Sequence, residues 1–263
     1  MTLHVIIELC SGLGNQIFQY ATGLAIQEEL GCNISFNASI GNNHGNRDYR
    51  QLLDISGEKL YSQIILDYKT RPFDAWTPSS LVGTSKTVLL KGYFQYLPAI
   101  RSVLPAVSEK LLTNLPQVPR IKAGFVHVRR GDYTASYIPL YVQTKEYYED
   151  GMTLLKDDVN SWIMVSDDIE WCKKQTWSQH SRIIFLEEPD ELLTLSYMIS
   201  CSQAAVISNS TFSWWGAILG AYARGNRVVY PAYWHTRDTP NLFPSSWIPI
   251  ATSSTLRNPD KLT

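Results

Sequence analysis

An α/β fold of two domains with parallel sheets is predicted by three observations. The carboxyl-terminal half alternates short apolar, β-branched runs with helical stretches, the pattern of a parallel sheet with helices on both faces. The amino terminus opens on the same order of strand, tight turn, helix and strand. Between them the stretch NLPQVPRIK, residues 114–122, has two prolines and little periodicity, as a domain boundary should. A chain of 263 residues is long for one small core and suits two compact units, placed at residues 1–118 and 119–263.

Each element has its own reason. LHVIIEL, residues 3–9, is apolar and β-branched and predicts a buried strand. Residues 10–15 make a turn. Residues 16–30 carry Ile17, Tyr20, Ala21, Leu24 and Ala25 at helical spacing, and Gly31 ends the helix. A strand over 33–36 follows, then a polar loop over 37–50. TVLLKGY, residues 87–93, predicts a strand, and residues 98–113 a helix kinked or broken at Pro105. In the second half strands are expected at 124–128, 161–165, 183–186, 204–207 and 227–230. Helices are expected at 144–156, 190–201 and 211–223. The Ser/Thr-rich end, 251–263, is expected to be loosely ordered.

Composition excludes several classes of function. Hydrophobic residues are 44% and charged residues 18% of the chain, as in a globular protein. A formal net charge of -1 offers no broad basic surface, which argues against nucleic acid and against a polybasic membrane patch. Cys10, Cys32, Cys172 and Cys201 form neither a C-x-x-C pair nor a zinc-type cluster and are read as buried thiols in a reducing compartment. No stretch has the length and apolarity of a transmembrane helix. The start lacks a charged n-region, and its apolar run is broken at Glu8. A soluble, cytoplasmic protein is expected.

Three stretches begin where predicted strands stop, the end at which a parallel sheet opens its ligand crevice. SNSTFSWW, residues 208–215, leads into a helix; Asn209, Ser210 and Thr211 are good N-caps, and a helix amino end attracts anions. Simple capping is the alternative. HVRRGDY, residues 127–133, puts Arg129 and Arg130 at a strand end. If the strand continues, their side chains alternate in face, so one reaches the crevice while the other pairs with a carboxylate such as Asp132. A guanidinium also matches phosphate bidentately; a structural Arg–Asp pair and a bound phosphate both remain open. SGLGNQIF, residues 11–18, has Gly12 and Gly14 but Ile17 in place of a third glycine and no P-loop Lys. The alternative is a tight turn, although Gly14 and Asn15 would suit a close approach to a ligand. No Asp-x-Asp occurs anywhere. A bound diphosphate would therefore be neutralised by arginine and helix N–H groups, and no metal is expected.

Together these stretches resemble the α-1,2-fucosyltransferases of glycosyltransferase family 11. The carrying motifs are GLGNQIFQYA at 12–21, HVRRGDY at 127–133 and NSTFSWWGA at 209–217, with weaker echoes at Arg47-Asp48-Tyr49 and at GYFQ, 92–95. The resemblance implies a GT-B-like architecture, two Rossmann-like domains with parallel sheets facing a central cleft. The carboxyl-terminal domain would take the GDP-sugar and the amino-terminal domain would lie on the acceptor side. It implies inverting, metal-independent transfer of L-fucose from GDP-fucose to the 2-hydroxyl of a glycan, usually a β-galactoside. Arg129 would contact the β-phosphate and bridging oxygen, with His127, Arg130 and Asp132 shaping the pocket. Asn209, Ser210, Thr211, Phe212 and Ser213 would lie against the nucleotide, and Gly14 and Asn15 would approach the donor from the first domain. Arg129 and Asp132 are the catalytic candidates. On the acceptor side the candidates are His44, Asp48, Tyr93 and Gln95, with a solvated loop residue the alternative for His44 and Asp48.

Two departures from the family stand out. An Asp that receives guanine N–H groups in many members is replaced by Leu195; Asp190, Glu191 or Asp167 are the candidates to substitute. The segment TASYIPLY, residues 134–141, is unusual, with tyrosine near both ends. Three rival readings stay open: an NAD-dependent oxidoreductase, against which the incomplete glycine pattern counts; a non-catalytic glycan-binding protein on the same fold; and a transferase using another GDP-sugar.

Overall fold

The computed structural model describes residues 3–38, 49–56, 60–62, 64–67, 81, 86–134, 141–179, 182–234, 241–251 and 255–256. The chain divides into two compact units, Met1–Leu115 with Thr239–Pro244, and Pro116–Asp238 with Ser245–Thr263. The return of the short second piece to the first unit is secured by a 3.1 Å bond from the Leu97 N–H to the Asn241 carbonyl.

In the first unit β1 (His4–Leu9) buries Val5, Ile6, Ile7 and Leu9, as a strand covered on both faces must. It is followed by α1 (Leu13–Leu30), β2 (Asn33–Ala38), α2 (Arg50–Leu53), β3 (Ile64–Asp67) and β4 (Thr87–Lys91). The strands form one all-parallel sheet in the order β2-β1-β4-β3. The helix expected over 98–113 is two helices, α3 (Leu97–Ile100) and α4 (Leu104–Asn114), parted at 101–103. The break expected at Pro105 falls just before it, so that Pro105 stands in the first turn of α4, where a missing N–H and a fixed φ cost nothing. The short β3 and α2 carry too few residues to show a period, which is why no element was expected there.

The second unit contains β5 (Gly124–Val128), β6 (Tyr141–Val142), α5 (Lys145–Leu154), β7 (Trp162–Ser166), α6 (Ile169–Lys173), β8 (Ile183–Phe185), α7 (Glu191–Ser200), β9 (Ala204–Val206), α8 (Thr211–Leu219), β10 (Arg227–Pro231), β11 (Ile248–Ile250) and β12 (Thr255–Leu256). Six strands form an all-parallel sheet ordered β11-β10-β9-β5-β7-β8. All five residues of β5, at its centre, are buried. The core on this sheet joins Val126, Tyr147, Tyr148, Trp162, Trp177, Val206 and Val229. Part of the tail expected to be loose instead pairs: β12 lies antiparallel to β6. The helix expected over 211–223 stops at Leu219, and a 3-10 turn, Tyr222–Arg224, follows. Arg224 Nη1 donates to the carbonyls of Ile199 at 3.0 Å and Gly220 at 2.7 Å, so a cation closes the carboxyl ends of α7 and α8. Two parallel-sheet, Rossmann-like units make this the α/β, GT-B-like fold expected from the motifs. All four cysteines are buried thiols.

Candidate functional site

Because β5 lies between β7 and β9 in a parallel sheet, three loops leave it at one edge: Arg129 onward, Asp167 onward and Ile207 onward. HVRRGDY and SNSTFSWW therefore come together within one unit. His127, the fourth residue of β5, shares a 2.8 Å hydrogen bond between its Nδ1 and Ser208 Oγ, with both residues buried. Its ring also lies 5.8 Å from that of Phe212. Tyr133 Oη donates to the Asn209 carbonyl at 3.0 Å.

Arg129 is gripped twice. Its Nη2 meets Asp132 Oδ1 at 2.7 Å and its Nη1 meets Asp167 Oδ2 at 3.0 Å, while its guanidinium carbon stands 5.3 Å from the Tyr133 ring centre. Arg130 pairs through Nε with Asp168 Oδ2 at 3.1 Å and stacks 4.1 Å above the Trp171 ring. Both arginines are thus ion-paired, where alternation of faces predicted one. The side chains of this cluster hold no excess positive charge, since Asp132, Asp167 and Asp168 face Arg129 and Arg130. Asp167 also accepts the Arg130 backbone N–H at 2.8 Å. A Cβ on Gly131 would sit 2.4 Å from Asp167 Oδ2, so only glycine lets the β5 loop close over that carboxylate.

Burial, reinforced by the Arg129 charge, holds the His127 pKa down at about 3, which keeps the imidazole neutral. Burial pushes the Tyr133 hydroxyl up to about 12, against the pull of Arg129. At the start of α8 the N-cap is Ser210, with no side-chain cap. Asn209 turns away instead: its Nδ2 donates to the Trp234 carbonyl at 3.0 Å. Ser213 Oγ donates to the Ser210 carbonyl at 3.0 Å.

In the other unit SGLGNQIF and GYFQ meet at the carboxyl ends of β1 and β4. Gln95 Nε2 donates to Asn15 Oδ1 at 2.8 Å, and Asn15 Nδ2 donates to Ser11 Oγ at 3.0 Å. Gln19, fully buried, receives the Cys10 N–H at 2.9 Å and donates to the Gly92 carbonyl at 2.8 Å, so one amide ties the ends of both strands. Ser11 and Phe94 take left-handed φ values of 71 and 50 degrees, a strain that side-chain-bearing residues hold only where the surroundings enforce it. Gly14 is buried in the first turn of α1, and Tyr93 is half-buried. Gln95, expected on the acceptor side, is itself buried against Asn15. His44 and Asp48 lie outside the described residues.

Sequence reasoning did not anticipate Gln19, Trp171 or the Tyr133–Asn209 bond. Of the three candidates for replacing the family's Asp, two are engaged: Asp190 caps α7 by accepting the Leu193 N–H at 2.8 Å, and both oxygens of Asp167 have partners; Glu191 lies in the first turn of α7. Leu195 is core, 0% exposed, as are Trp214 and Trp215. Among the described residues no group of three or more His, Cys, Asp or Glu is placed to hold a metal ion, and no helix is long and apolar enough to cross a membrane.

Residues 79–242 match the family model described as glycosyl transferase family 11. An Escherichia coli protein named alpha-1,2-colitosyltransferase is 28% identical over 94% of this chain and 98% of its own length. The Escherichia coli O-antigen biosynthesis glycosyltransferase WbnK is 25% identical over 91% of this chain and 98% of its own. Among solved structures, E. coli heptosyltransferase WaaC with ADP aligns at a TM-score of 0.48 with 12% identity, covering 94% of this chain and 93% of its own.

Proposed function

The chain belongs to glycosyl transferase family 11, and we propose that it transfers L-fucose from GDP-fucose to the 2-hydroxyl of a β-galactoside, with inversion and without a metal ion. The observation that carries this reading is the union of HVRRGDY and SNSTFSWW at neighbouring strand ends, through His127–Ser208 and Tyr133–Asn209. That union sets the Arg129 loop beside a helix start whose Ser210 makes no side-chain cap, and a guanidinium and a helix start both suit a diphosphate.

In the proposed reaction the bond from fucose C1 to the β-phosphate oxygen breaks while the acceptor 2-oxygen bonds to C1 from the opposite face. The hydroxyl proton leaves to a base, and GDP departs. Negative charge grows on the leaving phosphate, so a guanidinium fixed in place favours the transition state over the ground state. Asp132 and Asp167 serve this by fixing the orientation of Arg129; their negative charges also temper its pull on the ground-state donor. Asp132, occupied in this way, acts in the catalytic pair by aiming Arg129. His127, neutral and buried, shapes the pocket wall and takes no proton.

A second donor is favoured by one observation, the likeness to a protein named for colitose transfer. Colitose is L-fucose without its 3-hydroxyl, so both donors offer the same diphosphate and the same C1. The deciding experiment supplies radiolabelled GDP-fucose and lactose, with GDP-colitose as competitor. Labelled fucosyl-lactose carrying an α-1,2 linkage supports the main reading. Colitose transfer with no fucose transfer assigns the other donor, and binding of either donor without transfer would leave a glycan-binding protein.

A further inference from the structure

We propose that Tyr133 is a positioning residue: it sets the spacing between the Arg129 guanidinium and the amino end of α8. What that spacing serves rests on the donor reading above. Tyr133 is the middle residue of a 3-10 turn, Asp132–Thr134, held by the Thr134 N–H to the Arg130 carbonyl at 2.7 Å and by Thr134 Oγ1 to the Gly131 carbonyl at 2.8 Å. The side chain so presented works at both ends. Its ring lies under the Arg129 guanidinium, 5.3 Å from centroid to Cζ, within reach of a cation–π contact. Its hydroxyl donates to the Asn209 carbonyl at 3.0 Å.

Asn209 directly precedes Ser210, the N-cap of α8. One rigid phenol therefore spans the loop after β5 and the helix start after β9. A tyrosine has only two side-chain torsions, so little freedom is lost in holding such a span. The Asn209 side chain is fixed separately, on the Trp234 carbonyl at 3.0 Å, which leaves the Asn209 carbonyl as the point that Tyr133 controls. His127 and Ser208 join the same two loops deeper in the sheet. Both also reach the first helical turn, His127 through the Phe212 ring at 5.8 Å and Ser208 by accepting the Ser213 hydroxyl at 3.3 Å, but Tyr133 links this helix start to the Arg129 guanidinium. The phenol stays protonated to about 12, since burial raises it, and so it donates throughout the neutral range.

The test is Tyr133→Phe, which keeps the ring beneath Arg129 and deletes only the donor. Two readouts are taken on the intact chain. Backbone hydrogen exchange of residues 208–214 needs no donor, and the proposal expects it to quicken by about tenfold, the loss of one net hydrogen bond. Turnover of GDP-fucose with lactose is then measured in the wild type, Tyr133→Phe, Arg129→Ala and the double variant. The expected result is about a tenfold fall in kcat for Tyr133→Phe, with the donor KM little changed, and no further fall when it is added to Arg129→Ala. Unchanged exchange overturns the proposal. So does a full, additive loss in the Arg129→Ala background, because Tyr133 would then act through something other than Arg129. If the wild type moves no fucose, the donor reading fails by itself, and exchange alone decides whether Tyr133 anchors the helix start.

Discussion

Partial burial would by itself pull the Arg129 pKa down; Asp167 and Asp132, with Tyr133 beside them, more than offset that. The guanidinium stays charged and its fork is held at two points, a geometry that a lysine cannot reproduce. Arg129→Ala is expected to lower transfer by about 10²-fold, the scale for losing one donor to a developing charge, and Arg129→Lys to recover little of it. Steady-state turnover measured beside melting temperature checks this; near-normal kcat in Arg129→Ala would remove the guanidinium from the mechanism. His127 makes a separate prediction about stability. Its folded pKa of about 3 lies below the ordinary histidine value of about 6.5. Between those two values the unfolded chain binds a proton that the folded chain refuses. The His127 contribution is therefore whole above about pH 6.5 and is lost as pH falls towards 3, by about 1.4 kcal/mol per pH unit. Denaturant titrations from pH 7 to 4.5 should show this slope in the wild type and a shallower one in His127→Gln. Parallel slopes would mean that the imidazole titrates normally.

Among the elements α8 shows how close packing sets a boundary. It ends at Leu219, and a Cβ on Gly220 would fall 2.6 Å from the Gly216 carbonyl oxygen and 3.1 Å from Ile199 Cα. These are backbone atoms of α8 itself and of α7, so neither can swing aside. Gly220→Ala is expected to cost about 1–3 kcal/mol, as overpacking does, read as a lower denaturation midpoint; an unchanged midpoint would show that the two helices can part. The same junction separates what was legible in the sequence from what was not. β5 matched its expected bounds because a strand buried on both faces is a plain apolar run. The end of α8 was misplaced because the helical pattern runs on past Gly220, where the backbone leaves the helical region at φ -95 and ψ -100 degrees. The kink or break expected at Pro105 is a break at 101–103 with Pro105 in the first turn of α4, because a proline fits a first turn and not a helix interior. In the site, the motif residues His127, Arg129, Arg130, Asn209 and Ser213 announce themselves by their place at or just after strand ends. Their pairings do not: Asp167 meets Arg130 across 37 positions, Tyr133 meets Asn209 across 76 and Gln95 meets Asn15 across 80. Such contacts follow from strand order, which no local pattern encodes.

At the scale of the whole molecule the question is how a chain of net charge -1 would hold the diphosphate of the proposed donor. The Arg129–Arg130 cluster carries more carboxylates than guanidiniums, so bulk attraction would be weak and the binding energy would come from aimed donors: the guanidinium fork and the first-turn amides of α8. Aimed donors are specific to shape and indifferent to a divalent ion, whereas the acidic side chains would favour a metal if they were the true ligands. GDP should therefore raise the melting temperature equally in EDTA and in magnesium, while UDP, CDP and NAD raise it less. At a hundred times the dissociation constant, binding to the folded state alone adds about 2.7 kcal/mol. For a chain of this length that is a shift of roughly 5–10 °C, taking about 2–4 °C per kcal/mol. A shift that appears only with magnesium would recast Asp132, Asp167 and Asp168 as metal ligands, with Arg129 their counter-ion, and the charge balance proposed for the leaving group would have to be given up.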